Sequence, residues 1–263
     1  LISLVSGFLV ADNSVYDAYK KGFDKYNVEY INFVTADKLS DETIDKLEKE
    51  NKVKIYDQRY YELKEAKRNS TIRIYGERKN VNKLCVMSGQ LAKQDDEIAL
   101  DRVFAKNNNY KVGDNITIDK NTYKITGFIA MPDYSCVFED NADMMFDSVN
   151  FGVASMTDSG LSKLKKSKLS YCYAVKYDKE PESDKKQKDM SDDFLENLSK
   201  QAVVTSYLPR YSNKAINFTG DDMGGDKAMF ILFDYIVIAI LAFVFAITTS
   251  NTIVKEAGVI GTL

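Results

Sequence analysis

The chain of 263 residues carries 36 Lys and Arg against 39 Asp and Glu, a net charge of -3, and it has no histidine and no tryptophan. A mixed, slightly acidic surface has no electrostatic footprint for a phosphate backbone, which excludes nucleic acid as a partner. The lack of histidine removes His-based nucleophilic triads and His-ligated metal sites.

In chain order, LISLVSGFLV (residues 1–10) is apolar but only about half as long as a membrane helix must be, and it has no basic flank of the kind a signal peptide carries. It is expected to be the closing part of an upstream membrane helix, with an internal core strand as the alternative. Ser14 and Asp17 form a capping pattern, and Val15, Tyr19, Phe23 and Tyr26 recur at helical spacing, so an amphipathic helix is expected to start here. VEYINFV (28–34) predicts a strand by its β-branched and aromatic content, LSDETIDKLEKEN a helix, and VKIYDQRYY (53–61) a second strand. Ser40 is the expected N-cap, with Leu39 and Ile44 at the positions of a hydrophobic staple. A hairpin is predicted over 61–76, turning near Asn69 and Ser70, with Ile72 and Ile74 on one face.

The segments 97–101, 103–105 and 110–114, then ITID, a turn at Lys120 and Asn121, and TYKITGFIAM predict a β-rich insertion, placed at about 84–168. Within it, Gly113 and Asp114 suit a tight turn. FGVASM (151–156) adds a strand, and Thr157 is expected to cap a short helix that runs to Lys166. The strand YCYAVKY (171–177), a solvated loop DKEPESDKKQKD, a helix over 191–200 with Phe194, Leu195 and Leu198 inward, and the strand AVVTSY then repeat the first pattern. The fold class expected is therefore α+β, two β-α-β halves flanking an inserted β-rich subdomain, together filling residues 11–227. Residues 208–227 are expected to be irregular, ending in a glycine-rich hinge, GDDMGGD, whose spacing does not fit a calcium loop.

Residues 228–249 (AMFILFDYIVIAILAFVFAITT) carry one charge, Asp234, and are apolar all round from Tyr235 to Ile247. About 20 such residues at roughly 1.5 Å each span a hydrocarbon core of about 30 Å, so this segment predicts a transmembrane helix. Asp234 lies near its outer end, within reach of the interface by snorkelling, with helix pairing as the alternative role. Asp221, Asp222 and Asp226 before the span and Lys255 after it are consistent with a cytoplasmic 250–263 tail, although one lysine decides little. Cys85, Cys136 and Cys172 are an odd number without metal-type spacing; small buried thiols are expected, with a Cys136–Cys172 disulfide as the alternative. Adjacent carboxylates such as Asp95-Asp96 and Asp192-Asp193 are not placed across a cleft, and no phosphate-binding glycine loop occurs. No catalytic residue, cofactor or metal ligand is assigned.

The string after the span, Asn251-Thr252-Ile-Val-Lys-Glu256-Ala-Gly258-Val-Ile260-Gly261-Thr-Leu263, resembles the segment that leaves the second membrane helix in the FtsX-like permease family of ABC transporters. Asn251, Thr252, Ile260, Gly261 and Leu263 fall on that pattern; Glu256 stands where Arg is usual and Val259 where Glu is usual. Gly89-Gln-Leu, Asp96-Glu-Ile-Ala-Leu-Asp101, Ala105, Lys111-Val-Gly-Asp114, Tyr123-Lys-Ile-Thr-Gly127 and Pro132-Asp-Tyr134 are similar to the extracytoplasmic core of MacB-type permeases. The resemblance implies an extracellular domain between the first and second helices of a multi-pass cell-membrane protein. It implies a partner ATPase on the cytoplasmic side, which hydrolyses the ATP and which Asn251, Thr252, Glu256, Gly258, Ile260, Gly261 and Leu263 would face. It further implies a second permease copy or a duplicated half, and a role in moving the outer domain on a substrate or partner. Two other plans share parts of this architecture: an extracellular sensor domain of a transmembrane receptor, and a membrane-anchored cell-wall enzyme. The glycine-bearing, weakly charged tail is unlike a receptor's charged helical linker, and the missing catalytic set speaks against an enzyme.

Overall fold

The structure is a computed structural model that describes residues 2–165 and 169–260. Two compact units divide it: Lys20–Thr219, and a unit formed by the two stretches of chain that flank it.

The first unit opens with the end of helix α1 (Ile2–Lys25). Strand β1 (Ile31–Thr35), helix α2 (Asp41–Asn51) and strand β2 (Val53–Asp57) follow. Ser40 caps α2 as expected, its hydroxyl accepting the Thr43 N–H at 3.1 Å, and Leu39 and Ile44 both pack on the core beneath. The second half repeats the plan with β10 (Leu169–Tyr177), α5 (Asp184–Ser199) and β11 (Val204–Pro209). The halves interleave rather than stand side by side. β10 lies between β1 and β2 and is antiparallel to both, so Ile31 and Ile55 face Val175 from opposite edges, while β11 pairs with the outer edge of β1. The order β11-β1-β10-β2 is that of a ferredoxin-like, split β-α-β fold. Leu47 of α2 and Phe194 and Leu198 of α5 bury themselves against Ile31, Phe33, Tyr173 and Val175. Each such side chain contributes about 1.5–3 kcal/mol of transfer free energy.

Between the halves run β3 (Tyr60–Lys64), β4 (Thr71–Tyr75), β5 (Cys85–Gly89), β6 (Glu97–Asp101), α3 (Arg102–Asn107), β7 (Asn115–Ile118), β8 (Asn121–Ala130), β9 (Phe151–Ser155) and α4 (Asp158–Ser162). Leu169 and Ser170 of β10 pair with β3, so one 11-stranded sheet continues as β10-β3-β4-β9-β6-β8-β5, with β7 beside β8. The expected hairpin is β3–β4, with Asn69 at positive φ in its turn and Ile72 and Ile74 buried. Gly113 takes φ +98° and Asp114 accepts the Lys111 N–H at 2.8 Å, as the turn there requires. Gly152 leaves room for Phe104, whose Cγ would lie 2.5 Å from a Cβ at that position.

Several expectations fail for physical reasons. Residues 53–61 form two strands, because the Asp57 carboxylate accepts the Arg59 N–H at 2.9 Å and turns the chain out of β2. The charged run after β10 is half helix: Ser183 caps α5, its hydroxyl taking the Lys186 N–H at 3.2 Å, and Gln187 and Ser191 continue the buried stripe of Phe194 and Leu198. Leu195 is only half-buried. The helix capped by Thr157 stops at Ser162, and Lys166 lies outside the described residues. Ser14 is not the N-cap of a helix, because α1 runs unbroken through it; the alternative of a core strand at 2–10 fails for the same reason. Residues 208–227 are not irregular: after a 3-10 turn (Arg210–Ser212), α6 (Lys214–Ile260) is one helix of 47 residues that takes in Gly220, Gly224 and Gly225. None of the three cysteines is in a disulfide, so the Cys136–Cys172 alternative fails, and only Cys172 is the expected buried thiol, Cys85 and Cys136 being half-buried.

Candidate functional site

At about 1.5 Å per residue, α6 is about 70 Å long, more than twice a hydrocarbon core. The part of it long and apolar enough to cross a membrane lies within Lys214–Ala257 and is not covered by other parts of the protein. Thr248 and Thr252 keep their hydroxyls satisfied in this apolar setting by donating back to the Val244 and Thr248 carbonyls at 2.8 and 3.0 Å. Asp234 is half-buried on α6, and Asn251, Thr252 and Glu256 are exposed on the same uninterrupted helix. Gly258 and Ile260 complete its last turns; Gly261 and Leu263 lie outside the described residues. Among the described residues, Asn251, Thr252, Glu256, Gly258 and Ile260 share the last turns of this helix, and Asp234 lies well before them along it.

The domain-side ends of α1 and α6 are held by a constellation that sequence periodicity did not single out. Where α1 ends, the Tyr26 and Asn27 carbonyls accept the Lys83 and Asn82 N–H groups at 2.8 and 3.1 Å, and Asn27 Nδ2 donates to the Asn80 carbonyl at 2.7 Å. Where α6 begins, Ser135 Oγ donates to the Ala215 and Ile216 carbonyls, both at 2.9 Å, and the Cys136 N–H donates to the Ala215 carbonyl at 3.2 Å. Asn141 Oδ1 accepts the Lys214 N–H at 2.8 Å, and Phe218 packs against Phe138 and Phe146. One segment, 78–83, thus holds the root of α1, and one loop, 132–146, holds the root of α6.

A buried ion pair joins the two. Arg78 Nη1 donates to Asp133 Oδ1 at 2.6 Å, with 2% and 4% of the side chains exposed. The Arg78 guanidinium lies 3.9 Å over the Tyr75 ring, and the Tyr75 and Tyr134 hydroxyls are 2.8 Å apart. Tyr134 in turn accepts from Arg73 Nη1 at 2.6 Å, and Arg73 Nε donates to Glu62 at 2.7 Å. Glu29, 1% exposed, exchanges two bonds with Asn82: its N–H donates to Asn82 Oδ1 at 3.0 Å and its carboxyl accepts from Asn82 Nδ2 at 2.9 Å. Burial, and then the Asp133 carboxylate, push the Glu29 carboxyl up to about 8. Burial likewise pushes the Cys172 thiol up to about 12, which leaves it an unreactive thiol at neutral pH. Among the described residues, no group of three or more acidic or thiol side chains is placed to hold a metal ion.

Asp133 and Tyr134 belong to the Pro132-Asp-Tyr134 string of the family resemblance, which is the one signal in the sequence that touched this site. Glu29, Arg73, Arg78 and Asn82 carried none: each is a single polar residue with a partner more than 50 residues away. Other residues of the resemblance support the frame. Asp101 caps α3 through the Val103 and Phe104 N–H groups, and Gly89 (φ +69°) and Gly127 let β5 and β8 approach so closely that a Cβ on either would fall within 2.4 Å of a backbone oxygen.

The fold and site together describe a mixed α+β domain whose chain leaves it through a long apolar helix. No protein-family profile matches the chain, and no curated protein matches it. Among solved structures it is similar to the periplasmic region of MacB from Actinobacillus actinomycetemcomitans at 14% identity, over 73% of this chain and 92% of that one, with a TM-score of 0.40. It is similar also to the extracellular domain of the noncanonic ABC-type transporter YknZ from Gram-positive bacteria, at 13% identity, over 67% of this chain and 99% of that one, with a TM-score of 0.36.

Proposed function

We propose that this chain belongs to a permease subunit of an ABC transporter, in which a separate cytoplasmic ATPase hydrolyses the nucleotide and the permease passes the resulting motion to an extracellular domain. On this reading residues 228–249 cross the bilayer, residues 1–10 close an earlier span of a multi-pass protein, and 250–263 face the ATPase. A second permease copy or a duplicated half completes the assembly. The reading is supported by the family strings spread from Gly89 to Leu263. The single observation that carries it is the pair of clamped helix roots joined by Arg78 and Asp133, with α6 running unbroken from its clamp to Asn251 and Thr252. On this reading a displacement applied at the far end of α6 would be passed along the helix to its clamp.

The test is the full-length protein in nanodiscs with the ATPase that co-purifies with it. Replacing 251–263 by a Gly/Ser linker is expected to abolish ATPase binding and the stimulation of hydrolysis by the permease. Unchanged stimulation contradicts the assignment, and recovery of a kinase or chemotaxis module in place of an ATPase favours the sensor plan.

A further inference from the structure

Strand β5 closes one end of the sheet: β8 pairs with one of its edges, and among the described residues no strand lies on the other. Its register against β8 slips by one residue. Val86 faces Ile129 and Ser88 faces Phe128, so Met87 is the extra residue of a β-bulge. A bulge re-aims a side chain, and bulges are over-represented beside functional sites. Here the Met87 thioether sulfur comes within 3.8 Å of Cys85 Sγ, whose S–H donates to it. The Tyr26 hydroxyl donates to the same Cys85 Sγ at 3.1 Å. Met87 is 46% exposed and Cys85 is half-buried, so the two sulfur side chains meet at the protein surface, in contrast to the buried Cys172.

An S–H bond to a thioether is weak, and an exposed methionine gains little from burial, so neither accounts for the pairing. What the two side chains share is soft donor character. Two sulfurs 3.8 Å apart can both lie about 2.3 Å from a single ion, at an S–metal–S angle of about 110°. An ion can therefore take the place of the thiol proton between them while both side chains stay where they are. Hard cations take oxygen ligands, and structural Zn(II) takes four ligands, whereas among the described residues no group of three or more acidic or thiol side chains is placed to hold an ion. A thiolate beside a thioether selects Cu(I), which is satisfied by few ligands. We propose that Cys85 and Met87 bind one soft monovalent ion, Cu(I) or the chemically similar Ag(I), with Cys85 as thiolate, Met87 as thioether and the remaining position open to solvent. On binding, the Cys85 S–H bond breaks, a metal–sulfur bond forms and the proton passes to water; no electron is transferred. The Tyr26 hydroxyl keeps its bond to the Cys85 sulfur and holds it in place, as outer partners of metal ligands do. The inference rests on this pair and is independent of what α6 does in the membrane.

The test uses the whole chain in detergent micelles under argon, titrated with Cu(I) supplied as its acetonitrile complex in competition with the chromophoric chelator bicinchoninate. The parent is expected to take one Cu(I) per chain and to release one proton into a weakly buffered solution. Cys85→Ser should abolish both. Met87→Leu keeps the bulk and exposure of the side chain and removes only the sulfur; it should weaken binding roughly tenfold or more, since even the outer partners of a metal ligand are worth that much. Cys136→Ser should bind as the parent does. Both β5 variants lie on an exposed strand edge and should unfold at the parent's urea midpoint. The proposal is overturned if the parent takes no Cu(I) from the chelator, if Met87→Leu binds as tightly as the parent, which would leave an ordinary thiol, or if Zn(II) displaces the bound Cu(I).

Discussion

At the scale of single residues, the buried pair Arg78–Asp133 joins the segments that hold the two helix roots. Asp133→Asn strands the guanidinium in a dry site, and loss of one partner from such a pair is expected to cost about 3–5 kcal/mol in urea unfolding of the full chain. A double replacement by apolar residues of similar size should recover much of that, because the desolvation of two charges disappears along with their attraction. Glu29 makes the domain pH-sensitive. Its folded pKa, about 8, lies above the ordinary 4.5. The folded state therefore holds a proton that the unfolded chain has released, and the stabilisation from Glu29 is fully present below about pH 4.5 and is lost as pH rises through about 8. Unfolding midpoints measured from pH 5 to 8 should fall with pH, and Glu29→Gln should flatten the slope by one proton. Gly127 tests the frame: a Cβ there would lie 2.4 Å from the Gln90 carbonyl oxygen, so Gly127→Ala is expected to destabilise by about 1–3 kcal/mol.

At the scale of elements, strands and capped helices with a strong apolar period were legible in the sequence. β1, β4, β8, β9 and β10 coincide with runs of β-branched and aromatic residues, and Ser40 and Thr157 announced their helices. What escaped had polar residues doing apolar duty. The first half of α5 was hidden because Gln187 and Ser191 occupy its buried face, and β5 because its face is largely exposed. The interleaving of the two halves depends on which strands pair across the insertion, and no local period encodes that. The site was legible only through Asp133 and Tyr134. The glycines of α6 misled most, since a hinge and a continuous helix can carry the same residues. A Cβ on Gly224 or Gly225 would meet nothing within 4 Å, whereas one on Gly220 would lie 2.7 Å from the Tyr19 ring. Three glycines cost helix stability without breaking its hydrogen bonds, and no proline interrupts the segment. Ala at positions 224 and 225 is therefore expected to raise helix stability by about 0.5–1 kcal/mol each, read as slower hydrogen exchange over 221–228. Were the segment a hinge, the parent would exchange there as fast as a loop.

At the scale of the whole molecule, three features stand out: a split β-α-β domain with a long insertion, two helix roots held by segments that one ion pair joins, and a 47-residue helix containing a stretch long and apolar enough to cross a membrane. The insertion supplies both the 78–83 segment and the 132–146 loop, which gives a physical reason for its size: it brings the two fastenings within hydrogen-bonding distance of each other. On the proposed function, motion of either helix would be felt at the same few residues. The measurement that tests this most directly is hydrogen exchange, followed by mass spectrometry, of the full-length protein in nanodiscs with its ATPase, with and without ATP. Exchange over 78–83, 132–136 and 213–218 is expected to change together when nucleotide is added. If the ATPase binds nucleotide and all three segments keep their exchange rates, the domain is not driven through its helix roots and the proposed coupling is contradicted.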